Sequence, residues 1–246
     1  MLSFIVPAYN EELELPRALA AIRAAAEASS LPYEIIVVDD ASTDATAEIA
    51  THAGATVVPV NYRQIAAVRN AGARAAKGDI FIFVDADTFI EPAHVAGVQA
   101  ALAAGCAGGG ARMAIDGSVP LWGRIFVRVF CAFYFTLANL GAGAFLFTTR
   151  KNFEAIDGFD NRLFAGEEVY FSQGLKKLGR FRLLAKPVVT SGRKLRMHSA
   201  GQILALTVGI ILRGKRGVKS RARLDLWYDG KRETKARPSA TSPVLD

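Results

Sequence analysis

Cysteine and histidine are scarce in this chain, whose 246 residues include two cysteines and three histidines. Cys106 and Cys131 lie in apolar surroundings and lack the spacing of metal ligands. We therefore interpret both as packing thiols in a reducing compartment. The glycine fingerprint G-x-G-x-x-G is also missing after the first predicted strand. Its absence disfavours a dinucleotide-binding Rossmann domain.

Long apolar runs are missing as well. A membrane-spanning helix needs about 20 predominantly apolar residues. Residues 120–140 approach that length, but they carry Arg124 and Arg128 one turn apart. An amphipathic helix on the core or on a membrane surface is therefore favoured over a true span. The apolar start of the chain is a short strand that ends at Pro7, which does not match a signal peptide.

Acidic residues are sparse in the C-terminal part, where basic residues dominate from 176 to 237 and contribute to a formal net charge of +7. This charge implies an anionic partner, such as nucleotide phosphates, an anionic membrane surface or nucleic acid. No aromatic platform or reader motif accompanies the basic residues, which disfavours nucleic acid.

Short apolar runs alternate with amphipathic segments along the first half of the chain. Strands are predicted at 2–6, 33–38, 56–60 and 80–84, and helices at 12–28, 45–53 and 64–76. This β-α-β order predicts an α/β fold with a mainly parallel central sheet and helices on both faces. With 51% hydrophobic residues, the chain can build one sizeable core.

Two carboxylates, Asp85 and Asp87, directly follow the apolar strand 80–84. In open α/β sheets, ligands bind beyond the carboxyl ends of the strands. Adjacent acids there repel each other unless a cation lies near them, and oxygen ligands suit Mg²⁺ or Mn²⁺. The structural alternative is that Asp87 or Thr88 caps a helix that begins near Pro92.

A second strand, 33–38, also ends in two acids, Asp39 and Asp40. A structural explanation of both acid pairs needs two independent caps, whereas a ligand site needs only one pocket. The coincidence therefore favours a site at this edge of the sheet.

A third acid pair, Glu167 and Glu168, falls at the predicted N-terminus of a helix that extends to Leu178. The pair either complements the helix dipole or supplies a general base. Farther along, residues 190–196 predict a flexible cationic loop whose Arg193 and Lys194 suit a pyrophosphate, with a solvated basic turn as the alternative.

The chain is expected to divide into three parts. Residues 1–195 form the catalytic domain. Residues 196–228 form an apolar and basic helical extension that is suited to an anionic membrane surface. Residues 229–246 are rich in Lys, Arg, Pro, Ser and Thr, which predicts a disordered tail.

The order of these motifs closely resembles the family 2 glycosyltransferases with a GT-A fold. The resemblance covers residues 2 to 190 and rests on the motifs Val6 to Glu11, Val37 to Asp44, Arg69 to Gly72, Asp85 to Asp87, Gly158 to Asp160 and Gly166 to Glu168. It departs from the family at Ala41, where Gly is usual, at Asp157, where the first Gly of Gly-Gly-Phe is usual, and at Glu168, where Asp is usual.

The resemblance implies an inverting transfer of one sugar from a nucleotide-diphosphate sugar, with Mg²⁺ or Mn²⁺ as cofactor. It implies that Asp87 binds the metal and that Glu168, or else Glu167, is the catalytic base. The donor site is expected to include Pro7, Ala8, Tyr9, Glu11, Asp39, Arg69, Asp85, Ala86, Arg193 and Lys194. Within it, Pro7 to Glu11 and Asp39 hold the base and ribose, Arg69 lies near the phosphates, and Asp85 meets the ribose or sugar.

The sequence does not identify the acceptor, for which a polyprenyl phosphate and a lipid-linked glycan are the candidates. The protein is expected in the cytoplasm, with peripheral binding to the inner face of the cytoplasmic membrane. The Gln-x-x-Arg-Trp signature of processive synthases is absent, which favours transfer of a single sugar over polymer synthesis. Two other interpretations remain: a haloacid-dehalogenase-type phosphatase, disfavoured by Phe89 in the candidate nucleophile loop, and a catalytically silent membrane-surface binding module that keeps the GT-A fold.

Overall fold

The computed structural model describes residues 1–116, 120–131, 134–135, 138–197, 199–202, 205 and 218. The predicted catalytic domain, 1–195, falls almost entirely within this part of the chain. Most of the predicted extension, 196–228, and all of the predicted tail, 229–246, lie outside the described residues.

Eight strands and eight helices are described. The strands are β1 Leu2–Ala8, β2 Tyr33–Asp40, β3 Thr56–Val60, β4 Ile80–Val84, β5 Thr88–Phe89, β6 Gly108–Asp116, β7 Phe145–Thr149 and β8 Phe181–Ser191. The helices are α1 Leu15–Glu27, α2 Thr46–His52, α3 Ile65–Ala75, α4 Pro92–Ala103, α5 Leu121–Cys131, α6 Arg150–Ala155, α7 Glu167–Leu178 and α8 Arg193–Met197.

All eight strands form one sheet in the order β3-β2-β1-β4-β7-β6-β8-β5. The pairs β3–β2, β2–β1, β1–β4 and β6–β8 are parallel, whereas β7 runs antiparallel to β4 and β6, and β5 runs antiparallel to β8. The prediction of a mainly parallel central sheet is confirmed. The acid pairs that end β2 and follow β4 consequently lie at the same edge of the sheet, on either side of β1.

Each face of the sheet has its own apolar core, and β4 contributes to both. Ile82 and Val84 pack on the face covered by α1 and α4. Phe81 and Phe83 pack on the other face, against α3, α6 and α7. Because successive side chains of a strand point to opposite faces, an uninterrupted apolar run is what a strand buried on both faces requires. The interpretation of residues 80–84 is confirmed.

The alternative interpretation, that Asp87 or Thr88 caps the helix that begins near Pro92, is wrong. The N-cap of α4 is Glu91, and its backbone N–H donates to His94 Nδ1 at 2.9 Å. Thr88 lies in β5 and pairs with Thr190 of β8. Asp87 is thereby left outside the helix start, at the edge of the sheet.

The prediction of a flexible loop at 190–196 is also wrong. Strand β8 continues to Ser191, and α8 begins at Arg193. The pairing of β8 with both β5 and β6 extends the strand beyond the point at which its apolar pattern ends. Within the described residues, no helix has both the length and the apolar composition needed to cross a membrane.

Candidate active site

Arg193 joins two acids that are distant in the sequence. Its two Nη atoms donate to the two carboxylate oxygens of Glu11 at 3.0 and 2.9 Å, across 182 residues. Nη2 also donates to Asp87 Oδ2 at 3.3 Å. Burial disfavours the charged form of Arg193, but its bond to Glu11 and the charges of Glu11 and Asp87 outweigh that effect and raise its pKa. The paired carboxylates thus hold the guanidinium at a fixed place.

Strand pairing holds Asp87 in position. The backbone N–H of Ser191 donates to the Asp87 carbonyl at 3.2 Å, and Thr190 Oγ1 donates to Asp87 Oδ1 at 3.4 Å. Thr88 Oγ1 in turn donates to Thr190 Oγ1 at 3.1 Å. The short β5–β8 ladder therefore presents the Asp87 carboxylate at the rim, where its side chain is 18% exposed.

A second arginine, Arg69 of α3, joins another pair of acids. Its Nη1 donates to Glu167 Oε1 at 2.5 Å, and its Nη2 donates to Asp85 Oδ1 and to the Gly143 carbonyl, both at 2.9 Å. The side chain is only 2% exposed. A Cβ atom at Gly143 would lie 3.0 Å from Nη2, so this position leaves little room for any side chain. Arg69 is thus committed to the two carboxylates rather than exposed to an open cleft.

The two arginine clusters are connected through Asp85-Ala86-Asp87. Asp85 pairs with Arg69, and Asp87 pairs with Arg193. Ala86 between them is 4% exposed and packs in the core below α1 and α4. One continuous chain of acids and arginines results, Glu11–Arg193–Asp87–Asp85–Arg69–Glu167, which we call the rim network. Its acids come from the β1–α1 turn, the β4–β5 turn and the start of α7.

Glu168 lies next to this network in the first turn of α7. Burial and the neighbouring charge of Glu167 raise the pKa of its carboxyl group to about 8. Tyr134 Oη lies 3.4 Å from Glu168 Oε1 and 3.1 Å from the Gly141 carbonyl. Burial and the charge of Glu168 raise the pKa of Tyr134 in turn. Glu168 is therefore a carboxyl group that changes protonation near neutral pH, with a phenol beside it.

At the other end of the site, β1 and β2 bring Ala8 and Asp39 side by side in register. Asp39 is 8% exposed, and among the described residues its buried Oδ1 has no hydrogen-bond partner. Its neighbour Asp40 has a different role, since its Oδ1 accepts from the backbone N–H groups of Tyr62 and Arg63 at 2.6 and 3.0 Å. Asp39 Oδ1 is therefore the buried acceptor that a ligand can use.

The turns after β1 and β2 are bonded to each other. The Asn10 N–H donates to Ser42 Oγ at 2.9 Å, and the Thr43 N–H donates to Asn10 Oδ1 at 2.8 Å. Asn10 and Ala41 both adopt positive φ, 51° and 57°. The Arg63 guanidinium lies 3.4 Å from the centre of the Tyr9 ring. Pro7 and Ala8 are buried within β1, so Tyr9 is the first residue of this turn beyond the strand.

The structure thus joins Glu11, Asp85, Asp87, Arg69, Arg193 and Glu167 directly, with Glu168 adjacent. Lys194 lies in α8, but its side chain is outside the described part of the structure. Within the described residues, no three His, Cys, Asp or Glu side chains cluster closely enough to hold a metal ion by themselves.

Sequence reasoning missed two participants. Tyr134 lies in an aromatic-rich apolar segment, and nothing local distinguishes it from core aromatics. Gly143 lies in the stretch Gly-Ala-Gly-Ala, and nothing in the sequence distinguishes it from Gly141. Both owe their roles to partners far along the chain, Glu168 and Arg69.

Residues 3–161 match the family described as Glycosyl transferase family 2. The chain belongs to this family. The matched range includes the β1 turn, the end of β2, Arg69 of α3 and Asp85-Ala86-Asp87, all of which contribute to the rim network or to the Asp39 end of the site. The expectation drawn from those motifs is confirmed.

Among curated proteins, this family 2 chain is 39% identical over 103 residues to an undecaprenyl-phosphate 4-deoxy-4-formamido-L-arabinose transferase of Aeromonas hydrophila. The match covers 39% of the chain and 31% of that relative. A transferase of the same description from Pseudomonas fluorescens is 38% identical over 101 residues, covering 38% of the chain and 29% of the relative. The matched region thus spans about a third of the length of these relatives.

Solved structures share the fold. TarS residues 1–349 of S. aureus, in complex with UDP-GlcNAc, superpose with a TM-score of 0.61 at 17% identity, over 93% of this chain and 71% of TarS 1–349. Glucosyl-3-phosphoglycerate synthase of Mycobacterium tuberculosis, with Mn²⁺, UDP and glucosyl-3-phosphoglycerate, gives 0.58 at 19% identity, over 90% and 81%. These likenesses establish the fold, which is GT-A as expected.

Proposed function

We propose that this chain is an inverting glycosyltransferase, which moves one sugar from a nucleotide-diphosphate sugar to a lipid-linked acceptor such as a polyprenyl phosphate. The observation that carries the proposal is the rim network. Acids from three turns, held by two buried arginines, meet at the carboxyl edge of a parallel sheet, where ligands of open α/β folds bind. The names of the relatives, which are transferases for undecaprenyl phosphate, support a lipid-linked acceptor.

We assign the nucleoside end of the donor to Pro7, Ala8, Tyr9, Glu11 and Asp39. A buried carboxylate oxygen without a partner is costly unless a ligand supplies a donor. Asp39 Oδ1 is such an atom among the described residues. An N–H of a nucleobase or a ribose hydroxyl would satisfy it. TarS 1–349 binds UDP-GlcNAc and the Mycobacterium tuberculosis synthase binds UDP, which supports a nucleotide-linked donor for this chain.

Asp87 is the residue that would hold Mg²⁺ or Mn²⁺. Mg²⁺ is usually bound by one or two carboxylates and takes its remaining ligands from substrate phosphates and water, so a single rim carboxylate fits it. When bound, the ion would neutralise charge on the nucleoside diphosphate that departs. Arg193, already beside Asp87, adds a fixed positive charge at the same place, and Lys194 is assigned to the same role.

Asp85 and Arg69 are assigned to the sugar side of the donor. Because Arg69 is buried between Asp85 and Glu167, we expect it to orient these two acids, and we no longer expect it to contact the phosphates directly. Asp85 is 33% exposed and pairs with Arg69 through Oδ1, so its other carboxylate oxygen is assigned to a sugar or ribose hydroxyl.

Glu168 is our choice for the catalytic base. Glu167 is bonded to Arg69, which ties its carboxylate to the scaffold. Glu168 has a raised pKa near 8 and lies one residue farther into α7. A base with a pKa near the working pH is effective at accepting a proton from an attacking hydroxyl. If the acceptor is itself a phosphate, Glu168 orients it and removes no proton.

The first experiment identifies the donor. The full chain is tested by thermal shift against UDP-, GDP- and dTDP-sugars with and without Mn²⁺, because a ligand that binds only the native state raises the melting temperature. Sugar transfer to a polyprenyl phosphate in detergent is then measured for the donor that binds. Glu168→Gln should keep the donor-induced shift and slow transfer, whereas Glu154→Gln, which changes an exposed glutamate on α6, should leave both unchanged.

Absence of both transfer and donor hydrolysis, in a chain that binds vesicles, would contradict this function. That outcome would favour the silent membrane-surface module. We further propose that the protein works in the reducing cytoplasm, at the inner face of the membrane. Cys106 and Cys131 are both free thiols, which is consistent with that compartment.

A further inference from the structure

Helix α5 carries an exposed apolar ridge. Leu121, Ile125 and Val129 are spaced four residues apart and are 70%, 56% and 66% exposed. Residues four apart lie on one face of a helix. The other large exposed apolar side chains of the described chain, Met1, Leu31, Tyr62 and Leu178, belong to separate elements. A contiguous apolar ridge of this kind marks an interaction surface.

The charge of α5 points to the chemistry of its partner. Its sequence, from Leu121 to Cys131, contains two arginines and no acid. Arg128 is exposed next to Val129. An apolar face flanked by cations is suited to the boundary between lipid headgroups and acyl chains. A second copy of this chain is a weaker match, because a stable dimer buries roughly 800 Å² on each partner, which exceeds what three side chains offer.

Helix α5 also packs near elements of the site. On its buried side, a Cβ at Gly123 would lie 3.8 Å from the Leu195 side chain of α8, the helix that carries Arg193. The segment that follows α5 brings Tyr134 to Glu168. Tyr134 also belongs to a small apolar cluster packed against Val169. The helix therefore packs against α8, which carries Arg193, and the segment that follows the helix reaches the candidate base.

We propose that the ridge of Leu121, Ile125 and Val129, with Arg128 beside it, seats this chain on an anionic bilayer and brings the site to the membrane that holds the acceptor. The inference rests on the lipid-linked acceptor of the proposed function. It adds the surface that contacts the membrane, on a helix that precedes the predicted C-terminal extension, 196–228, in the sequence.

The test is vesicle co-sedimentation of the full chain. The ridge variant is the triple substitution Leu121→Gln, Ile125→Gln and Val129→Gln, because Gln keeps helix propensity while it removes the apolar surface. It should bind vesicles of phosphatidylglycerol and phosphatidylcholine at least tenfold more weakly than the parent. Arg128→Gln should weaken binding about fivefold on these anionic vesicles and leave binding to pure phosphatidylcholine unchanged.

The matched control is the double substitution Leu31→Gln and Leu178→Gln, which removes exposed apolar side chains from other elements. It should bind like the parent. The donor-induced thermal shift, measured without vesicles, should persist in the ridge variant and shows that it is folded. Undiminished vesicle binding by the ridge variant would overturn the proposal, as would equal losses in ridge and control variants. A parent that sediments as a dimer, with a monomeric ridge variant, would instead assign the ridge to a second copy.

The two proposals fail separately. Vesicle binding that depends on the ridge, in a chain that transfers no sugar, would support the docking surface and contradict the proposed glycosyltransferase activity. Transfer to a detergent-solubilised acceptor, with vesicle binding that does not depend on the ridge, would support the enzyme and contradict the docking surface.

Discussion

The protonation of Glu168 should control the rate of sugar transfer to a hydroxyl acceptor. Burial, and then the charge of Glu167, raise the pKa of Glu168 from 4.5 to about 8. With that pKa, only about a tenth of the molecules carry the ionised base at pH 7. The value of kcat/KM should therefore increase almost tenfold per pH unit below pH 8 and level off above it.

The assay is a pH profile of kcat/KM between pH 6 and 9.5, for the parent and for two variants. Glu168→Gln should lower the rate by about 10²- to 10⁴-fold and remove the dependence on pH. Tyr134→Phe removes the hydroxyl near the carboxylate, so the midpoint should move upward by no more than about one unit. A phosphate acceptor would give a midpoint near 6, its own second pKa, and thereby identify itself.

A flat profile for the parent with a hydroxyl acceptor would refute this reasoning. A slope that persists in Glu168→Gln and disappears in Glu167→Gln would assign the base to Glu167.

The raised pKa of Glu168 also has a consequence for the stability of the fold. A carboxyl group with a raised pKa in the folded state stabilises the fold below its unfolded pKa, near 4.5, and that contribution is lost as pH increases through about 8. The melting temperature of the parent should accordingly decrease over this window more than that of Glu168→Gln.

Three further outcomes are expected. Arg69→Met should destabilise the fold by about 3–5 kcal/mol, because it leaves buried Glu167 without its counter-charge. The melting temperature should decrease by roughly 6–20 °C, and adding Glu167→Gln should restore part of the loss. A melting temperature of Arg69→Met equal to that of the parent would contradict the buried pair. Asp87→Ala should abolish Mn²⁺-dependent turnover. Its melting temperature should stay near that of the parent, because Arg193 keeps its two bonds to Glu11. Turnover of the variant that still depends on Mn²⁺ would disprove the metal role of Asp87. Ala41→Gly should raise the free energy of unfolding by up to about 1 kcal/mol, because Ala41 has a φ of 57°, a conformation that glycine adopts without strain. A clear loss of stability in denaturant unfolding would show that the turn tolerates alanine without strain.

Much of the fold could be predicted because its signals are local. The apolar run 80–84 identified a strand buried on both faces, and the alternation of short runs with amphipathic segments identified a parallel α/β sheet. Order in the chain then placed Asp39 and Asp87 at one edge, since parallel strands connected by helices share their carboxyl ends. The motifs of the family added the expected roles.

The C-terminal part of the site could not be predicted in the same way. The composition of residues 190–196 is that of an exposed basic loop, yet pairing with β5 and β6 extends β8 to Ser191 and leaves Arg193 buried between Glu11 and Asp87. A buried arginine and a solvated one look identical in a sequence. What distinguishes them is whether carboxylates from other turns come within hydrogen-bond distance.

The sequence alone was thus sufficient for the type of each element from β1 to β4, the edge of the sheet that holds the acids, and the family. Three features required the folded chain: the partners of Arg69 and Arg193, the placement of Tyr134 beside Glu168, and the exposed ridge of α5. The physical reason is the range of the interactions. Backbone preference and hydrophobic periodicity act over a few residues, whereas the ion pairs that assemble this site connect side chains 98 and 182 residues apart, and only strand order brings them together.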